Sequence, residues 1–434
     1  MENSNQQPAV IAAELDAPME KRKTIHEDWV VVILGFLVIL LALAGLKSAV
    51  PAYKWSGIDD LTGKVFSSMN LLSIALQFVF VFVIAVLGAW LTGRPIRNFI
   101  VMFPVVYLIA VIAMVLTGNA QVEALNLEAV IFSLTLGLIL GNFFKWPQWF
   151  REVLSTELFV KIGLVLLGTG IIFKDILKDG FFGLLQALVV VLSVWYFAFW
   201  ICKKLKLDKD ISLMISSAVS ICGVSAAIAT AGAIKGENKK LSYVISLVLV
   251  TAIPMMIFMP YLAKWMGLSQ EVAGAWMGGT IDTTGAVVAS GTLLGEEALK
   301  ISTIVKFSQN LLLGIAAFAI SIYWTVTDNK TKPEGTEAPG LKVIWQRFPK
   351  FVLGFVGASL LFSFFISVEQ IADVKGSLKN VQTLWFVLAF TSIGLETNFR
   401  DLIGVDNRKP LYGFLIAQSF NILVTLLVAY LRFS

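Results

Sequence analysis

The chain has 434 residues, of which 57% are hydrophobic and 15% charged, and its formal net charge is +5. Soluble domains hold about 25% charged residues, so this composition, with a mean hydropathy of +0.82, excludes a soluble fold and predicts an all-α polytopic membrane protein. One histidine, His26, and two cysteines, Cys202 and Cys222, exclude a His/Cys metal centre and a Ser-His or Cys-His catalytic unit. We therefore expect no enzyme activity and no cofactor. The excess of Lys and Arg fits loops beside membrane helices, so no nucleic-acid partner is expected.

Hydrophobic runs divide the chain into about 11–13 membrane segments. The predicted organisation is a cytoplasmic tail over 1–28, transmembrane helices over 29–123 with a polar loop at 47–70, a first repeat and core over 124–327, a cytoplasmic linker over 328–346 and second-repeat helices over 347–434. The thirteen candidate segments are 29–46, 71–92, 98–117, 127–143, 157–173, 181–202, 211–234, 241–263, 271–294, 301–325, 348–367, 381–397 and 410–431.

Charge distribution predicts a cytoplasmic N-terminus. If all thirteen segments cross, the cytoplasmic parts hold 20 Lys and Arg and the exterior parts 12. If 211–234 and 271–294 are re-entrant instead, the division becomes 22 against 10. Both alternatives satisfy the positive-inside rule, so the sequence predicts two discontinuous or re-entrant helices without deciding between them.

A short internal repeat is visible without gaps. Residues 168–177 (GTGIIFKDIL) match residues 394–403 (GLETNFRDLI) at an offset of 226. The two copies close segments of opposite direction, which predicts inverted repeats of the kind found in secondary transporters. The alternative is a helix-ending motif that recurs by chance.

Segments 211–234 and 271–294 differ from the others because small and hydroxyl residues dominate their centres. Glycines permit a break in a helix, and the N–H groups freed there can hold an anion. The alternative is that small residues only let helices pack closely. We predict that the two centres form one site, whose substrate-binding candidates here are Ser220, Cys222, Gly223, Ser225, Thr280, Thr283, Thr284 and Gly285.

Four further polar residues lie in apolar surroundings. Asp282 is the only acid well inside a segment, and it is predicted to couple transport to H⁺ or Na⁺; the alternative is a structural polar residue. Lys306 and Gln309 share a helix face and are candidates for contact with an anion. Lys161, near a segment start, is expected to reach the membrane surface.

These residues carry a resemblance to a family of bacterial inner-membrane transporters, the YeiH-like conserved hypothetical proteins described as sulfate exporters. The shared features are Leu138 to Asn142, the repeat motifs at 168–175 and 394–400, Ile221 to Ala226, Gly278 to Gly291, Leu294 to Ala298, and Val305–Lys306. The family is similar to the cation/anion antiporter and bile-acid symporter group. That similarity implies a scaffold bundle, a mobile core bundle with discontinuous helices, and a homodimer.

The chain departs from the family pattern at the second centre. Asp282 stands where the family has His, Thr283 where it has an acid, Ala286 where it has Gln, and Gln309 where Arg is common. These exchanges make the site more acidic and weaken the case for a dianion such as sulfate.

The sequence thus predicts a secondary active transporter of a small anionic solute, of the sulfate, sulfonate or carboxylate type, in the bacterial inner membrane. A passive anion channel is the main alternative, and a membrane-embedded enzyme is a further one.

Overall fold

The computed structural model describes residues 25–124, 129–234, 236–327, 345, 348–397 and 408–433, and these form an all-α fold, as predicted. By length and composition, six of the described helices can cross a membrane. The main helices are α1 (Glu27–Leu43), α2 (Ser68–Leu91), α3 (Ile96–Thr117), α4 (Ala129–Phe143), α5 (Thr156–Leu167), α6 (Phe173–Lys204), α7 (Lys209–Ser217), α8 (Val224–Ile234), α9 (Asn238–Trp265), α10 (Gln270–Thr280), α11 (Thr284–Leu294), α12 (Glu296–Thr327), α13 (Phe351–Phe364), α14 (Val368–Glu396) and α15 (Lys409–Phe433).

The helix ends collect on two sides of the molecule. Helix α1 begins beside Arg94, whose guanidinium donates to Glu27 at 3.1 Å. It ends beside the start of α14, where the Ser377 hydroxyl donates to the Ser48 carbonyl at 3.3 Å. We call the end where α1 begins the near side and the other the far side. Among the described residues, eleven helices run from one side of the molecule to the other: α1–α6, α9 and α12–α15.

The other four helices form two re-entrant hairpins, so the question that the charge count left open is decided by the fold. Hairpin 1 consists of α7 and α8. The Lys240 ammonium, just after it, lies 3.3 Å from Asp208 and 3.0 Å from Glu237, so both of its ends are on the near side. Hairpin 2 consists of α10 and α11. The Gln270 side chain at its start accepts from the Ala298 N–H at 3.4 Å just after its end, on the far side.

The repeat motifs lie in opposite orientations. Gly168 ends α5 on the far side and Gly394 lies near the end of α14 on the near side. Both are sites of close backbone approach: a Cβ would lie 2.3 Å from the Phe355 carbonyl oxygen at Gly168 and 2.6 Å from the Leu134 carbonyl oxygen at Gly394. Both glycines therefore allow a neighbouring helix to pack closely. Residues 398–403 of the second copy lie outside the described residues.

The helices pack into two bundles. The first bundle contains α1–α5, α13 and α14, and the second contains α6–α12 and α15. Glycines bring helices together in both: Gly163 packs on Phe386 in the first, and Gly278 on Ser302 in the second. Helix α11 is the main element of the second bundle that touches α4, α5 and α14 of the first. Hairpin 2 thus lies at the boundary between the bundles.

The predicted polar segments are only partly described. Helix α1 begins at Glu27, inside the predicted tail 1–28, and residues 1–24 lie outside the described residues. The predicted loop 47–70 contains two helical turns, Ile58–Asp60 and Leu61–Val65, and the start of α2. The predicted linker 328–346 also lies outside the described residues, apart from Trp345.

Re-entry predicts which residues share a membrane face. Single cysteines at Asp208 and Glu237 should react with a membrane-impermeant maleimide from one face, and cysteines at Glu271 and Glu296 from the other. Native Cys202 and Cys222 are buried and should react slowly. Labelling of right-side-out and inverted vesicles measures this. Opposite faces for Asp208 and Glu237 would contradict a re-entrant hairpin 1.

The close packing at Gly394 predicts a stability loss. Gly394→Ala should lower stability by about 1–3 kcal/mol, because the added methyl must push against backbone atoms of α4. Gly170→Ala is the control, since nothing lies within 4 Å of its added Cβ. Thermal unfolding of purified protein compares the two. Equal melting temperatures would refute the packing role.

Candidate functional site

The two hairpin tips meet within the second bundle, beside the start of α11. In hairpin 1 the helix ends in a π-helical turn, Ala218–Cys222, and breaks at Gly223, which has φ 60° and ψ −113°. In hairpin 2 the break spans Ile281 to Thr283, and the Thr283 hydroxyl caps α11 by accepting from the Ala286 N–H at 3.3 Å. A Cβ at Gly223 would lie 3.0 Å from the Asp282 Cβ. Glycine is therefore required both for the left-handed backbone and for the contact between tips.

In each hairpin we call the helix before the break the first arm (α7 with its π-helical turn, and α10) and the helix after it the second arm (α8 and α11). Lys306 joins the ends of the two first arms. Its ammonium, 1% exposed, donates to the carbonyls of Ile221 at 3.0 Å and Ile281 at 2.9 Å, and to Gln309 Oε1 at 3.0 Å. These carbonyls lie at the C-terminal ends of the first arms, each of which carries a partial charge of about −0.5. Two such ends are balanced by one ammonium. Lys306 thus stabilises two broken helices at once.

Side-chain amides from two helices hold the remaining carbonyls at the tips. Gln309 Nε2 donates to Ser220 O at 3.1 Å and Gly279 O at 2.9 Å. On α15, Gln418 Nε2 donates to Thr280 O at 3.0 Å, and Asn421 Nδ2 to Val219 O at 3.0 Å. Sequence reasoning missed the α15 pair. Two amides three residues apart in an apolar helix are the signal that could have found them.

A cavity of about 620 Å³ lies on the other side of the tips. The second arms point their N-termini at it: Val224 and Ser225 of α8, and Thr283 to Ala286 at the start of α11, line its wall. Asn310 lines it too; its side chain is 7% exposed, and its Oδ1 has no partner among the described residues. The lining includes His26, Pro349 and Thr397, so the cavity extends to the near side.

Charged residues of the first bundle form the opposite wall. Asp28, Glu157, Lys161 and Glu396 line the cavity there. The Lys161 ammonium lies 3.0 Å from Glu27 and 3.1 Å from Asp28, at the near-side start of α1. This wall therefore has more carboxylates than ammonium groups.

The structure divides the predicted site residues into two groups. Cys222, Ser225, Thr283, Thr284 and Gly285 line the cavity. The other candidates form a second group, which lies at the crossing of the two tips and on the part of α12 that contacts it. Ser220 does not line the cavity, and its hydroxyl donates to Ser216 O at 2.7 Å. The second group consists of Ser220, Gly223, Thr280, Asp282, Lys306 and Gln309.

The fold and the site define a polytopic α-helical membrane protein with two oppositely inserted hairpins. The chain belongs to the family described as conserved hypothetical protein 698, which residues 101–413 match. It is 43% identical to a UPF0324 membrane protein of Rhodopirellula baltica over 79% of this chain and 64% of that protein. A UPF0324 membrane protein of Nitratidesulfovibrio vulgaris is 38% identical over 85% of this chain and 64% of its own length.

A third relative, a UPF0324 membrane protein of Nitrosomonas europaea, is 27% identical over 89% of this chain and 91% of its own length. The chain spans 64% of the length of the first two relatives. No solved structure shows a significant match. The predicted family is therefore confirmed.

The position of Lys306 predicts a structural cost for its removal. Lys306→Met should destabilise the protein by about 3 kcal/mol, because it leaves buried carbonyls without donors and two helix ends without a compensating charge. Lys379→Met is the control, since Lys379 pairs with the exposed Glu296 at 3.1 Å and such pairs contribute about 0–1 kcal/mol. Thermal unfolding distinguishes them. A stable Lys306→Met protein would contradict the capping role.

Proposed function

We propose that the chain is a secondary active transporter of a small anionic solute, of the sulfate, sulfonate or carboxylate type, which works by alternating access coupled to H⁺ or Na⁺. The observation that carries the proposal is the convergence of two half-helix N-termini, those of α8 and α11, on one cavity. Half-helix N-termini that point at anionic groups are a recurrent construction of secondary transporters.

The first turns of α8 and α11 supply the chemistry for an anion. N–H groups in a first turn have no acceptor within their own helix, and the helix dipole adds positive potential there. The hydroxyls of Ser225 and Thr284 stand beside these groups, and the Asn310 amide adds a polar group from α12. An anion can be held in this way without a basic side chain.

The opposite wall limits the charge of the solute. Asp28 and Glu157 face the same cavity as the helix N-termini, with Lys161 as the ammonium among them. Carboxylates near a bound anion repel it, and a dianion more than a monoanion. A monoanionic sulfonate or carboxylate is therefore favoured over sulfate.

The arrangement of bundles supports alternating access. The N-termini belong to the second bundle and the carboxylates to the first, so a solute between them would contact both. A displacement of one bundle against the other would change which side the cavity reaches. A passive channel would need no such division.

Orientation and assembly complete the proposal. With both hairpins re-entrant, the near-side parts of the chain hold 22 Lys and Arg and the far-side parts hold 10. This difference favours a cytoplasmic near side and a cytoplasmic N-terminus in the bacterial inner membrane. The homodimer rests on the similarity to the antiporter and symporter group. The proposal includes no enzyme activity and no cofactor.

Asn310→Asp tests the anion site. The change is isosteric and adds a negative charge to the cavity wall, so it should weaken binding of an anion at least about tenfold, equal to about 1.4 kcal/mol. Anion-dependent increases in melting temperature, measured over a panel of sulfonates, carboxylates and sulfate, report this binding. Asn119→Asp is the matched control: Asn119 caps the short helix Ala120–Ala124 with its side-chain oxygen, which aspartate retains. Equal anion responses in both variants would refute the site.

Counterflow in proteoliposomes tests the mechanism. If the protein is a transporter, proteoliposomes loaded with unlabelled anion should accumulate labelled anion transiently above its external concentration. A channel only equilibrates it. Equilibration without accumulation would replace the transporter by the passive channel.

A further inference from the structure

We infer that the hairpin tips hold a Na⁺ site made by the Asp282 carboxylate, the Thr280 hydroxyl and the Gln418 side-chain oxygen. The inference rests on the proposed function and deepens it, because it gives the coupling ion and its ligands. The site lies at the crossing of the tips, and is distinct from the cavity-lining residues that would hold the anion.

Three buried oxygens carry the inference. Thr280 Oγ1, Asp282 Oδ2 and Gln418 Oε1 have no hydrogen-bond partner among the described residues, although the three residues are 1%, 2% and 3% exposed. Leaving one such group without a partner costs about 1–3 kcal/mol. Three such groups on and beside one tip favour a bound ligand there.

Two of the groups belong to the tip of hairpin 2, and the third, on α15, is bonded to that tip. Thr280 and Asp282 flank Ile281, whose carbonyl is held by Lys306 at 2.9 Å. Gln418 is fixed there because its Nε2 donates to the Thr280 carbonyl at 3.0 Å. That bond leaves Oε1 as the free atom of the amide. Asp282 also packs against Gly223 of hairpin 1.

The chemistry of the three oxygens selects a cation. A carboxylate and an amide oxygen accept but do not donate, so they need a cation or a hydrogen-bond donor as their partner. Oxygen atoms at broken half-helices hold Na⁺ in other transporters. A proton on Asp282 would give one donor to the group, whereas Na⁺ can bind all three oxygens together.

Charge balance links this cation to the anion. Lys306 offsets the two C-terminal ends, and the two N-terminal ends, each with a partial charge of about +0.5, offset Asp282. The tips are thus close to neutral without ligands. A bound anion adds a negative charge to this buried region, and Na⁺ at Asp282 cancels it. Each ion should therefore raise the affinity for the other, by the same factor.

The test measures Na⁺ binding without any anionic substrate. Purified full-length protein in choline chloride is titrated with sodium chloride at constant ionic strength, and then with potassium chloride. We expect Na⁺ but not K⁺ to raise the melting temperature, because Na⁺ binds only the native state. Thr280→Val should weaken the apparent Na⁺ affinity about tenfold, and Asp282→Asn should abolish the Na⁺ response.

Thr391→Val is the matched control for Thr280→Val. Thr391 is equally buried, but its hydroxyl donates within α14 to Val387 O at 2.9 Å in the first bundle. It should keep the wild-type Na⁺ response. If Na⁺ and K⁺ act alike, or if Thr280→Val responds like Thr391→Val, the sodium site is refuted.

The anion panel, repeated in choline and in sodium, separates this result from the proposed function. Anion binding in choline that Na⁺ does not strengthen refutes the sodium site and leaves the transporter proposal standing. No anion binding in either salt refutes the proposed function, whatever Na⁺ does alone.

Discussion

Helices that end inside a membrane must find partners for their last carbonyls, and the rest of this structure depends on how that requirement is met. Water is not available there, so each unpaired carbonyl would cost several kcal/mol. The first arms of the two hairpins end against each other, and Lys306 donates to a carbonyl of each, Ile221 and Ile281. Gln309, Gln418 and Asn421 hold most of the others. This network allows two broken helices to exist where a continuous helix would need no help.

Because side chains of the protein bind the carbonyl ends of the first arms, the N–H groups at the starts of the second arms are the helix ends that can bind a solute. The first arms end in carbonyls that side chains bind, whereas the second arms begin at a cavity of about 620 Å³. In each hairpin, side chains of the protein bind the negative, carbonyl end of the first arm. The positive, N-terminal end of the second arm faces the cavity, where a solute can bind it. This division explains why the only buried ammonium at the tips, Lys306, does not line the cavity, within the part of the chain that the structure describes.

Composition and local pattern were sufficient for the class of fold and for the location of the tips. Hydroxyl and glycine residues at 216–225 and 278–291 stood out because the other segments are built of Leu, Val and Phe. Whether these segments cross could not be decided, because moving a few lysines satisfied both arrangements. The contacts of Lys240 and Gln270 decide it, and these depend on residues brought together by the fold.

The partners of the tips were harder to predict for the same reason. Lys306 and Gln309 formed a visible polar stripe, but a stripe shows only that the side chains face inward, not whether they meet a solute or a carbonyl. Gln418 lies 138 residues from Thr280, whose carbonyl it binds. No local pattern in the sequence connects the two.

The internal repeat shows what a sequence match can mean physically. Gly168 and Gly394 occupy equivalent positions, and both permit a backbone approach that a methyl group would prevent. The residues two positions further on differ, with Gly170 in open space and Glu396 on the cavity wall. The repeat therefore preserves the packing that positions the helices on both sides of the molecule. The positions where its copies diverge are free to carry the chemistry of one side, which is how a symmetric framework can present an asymmetric cavity.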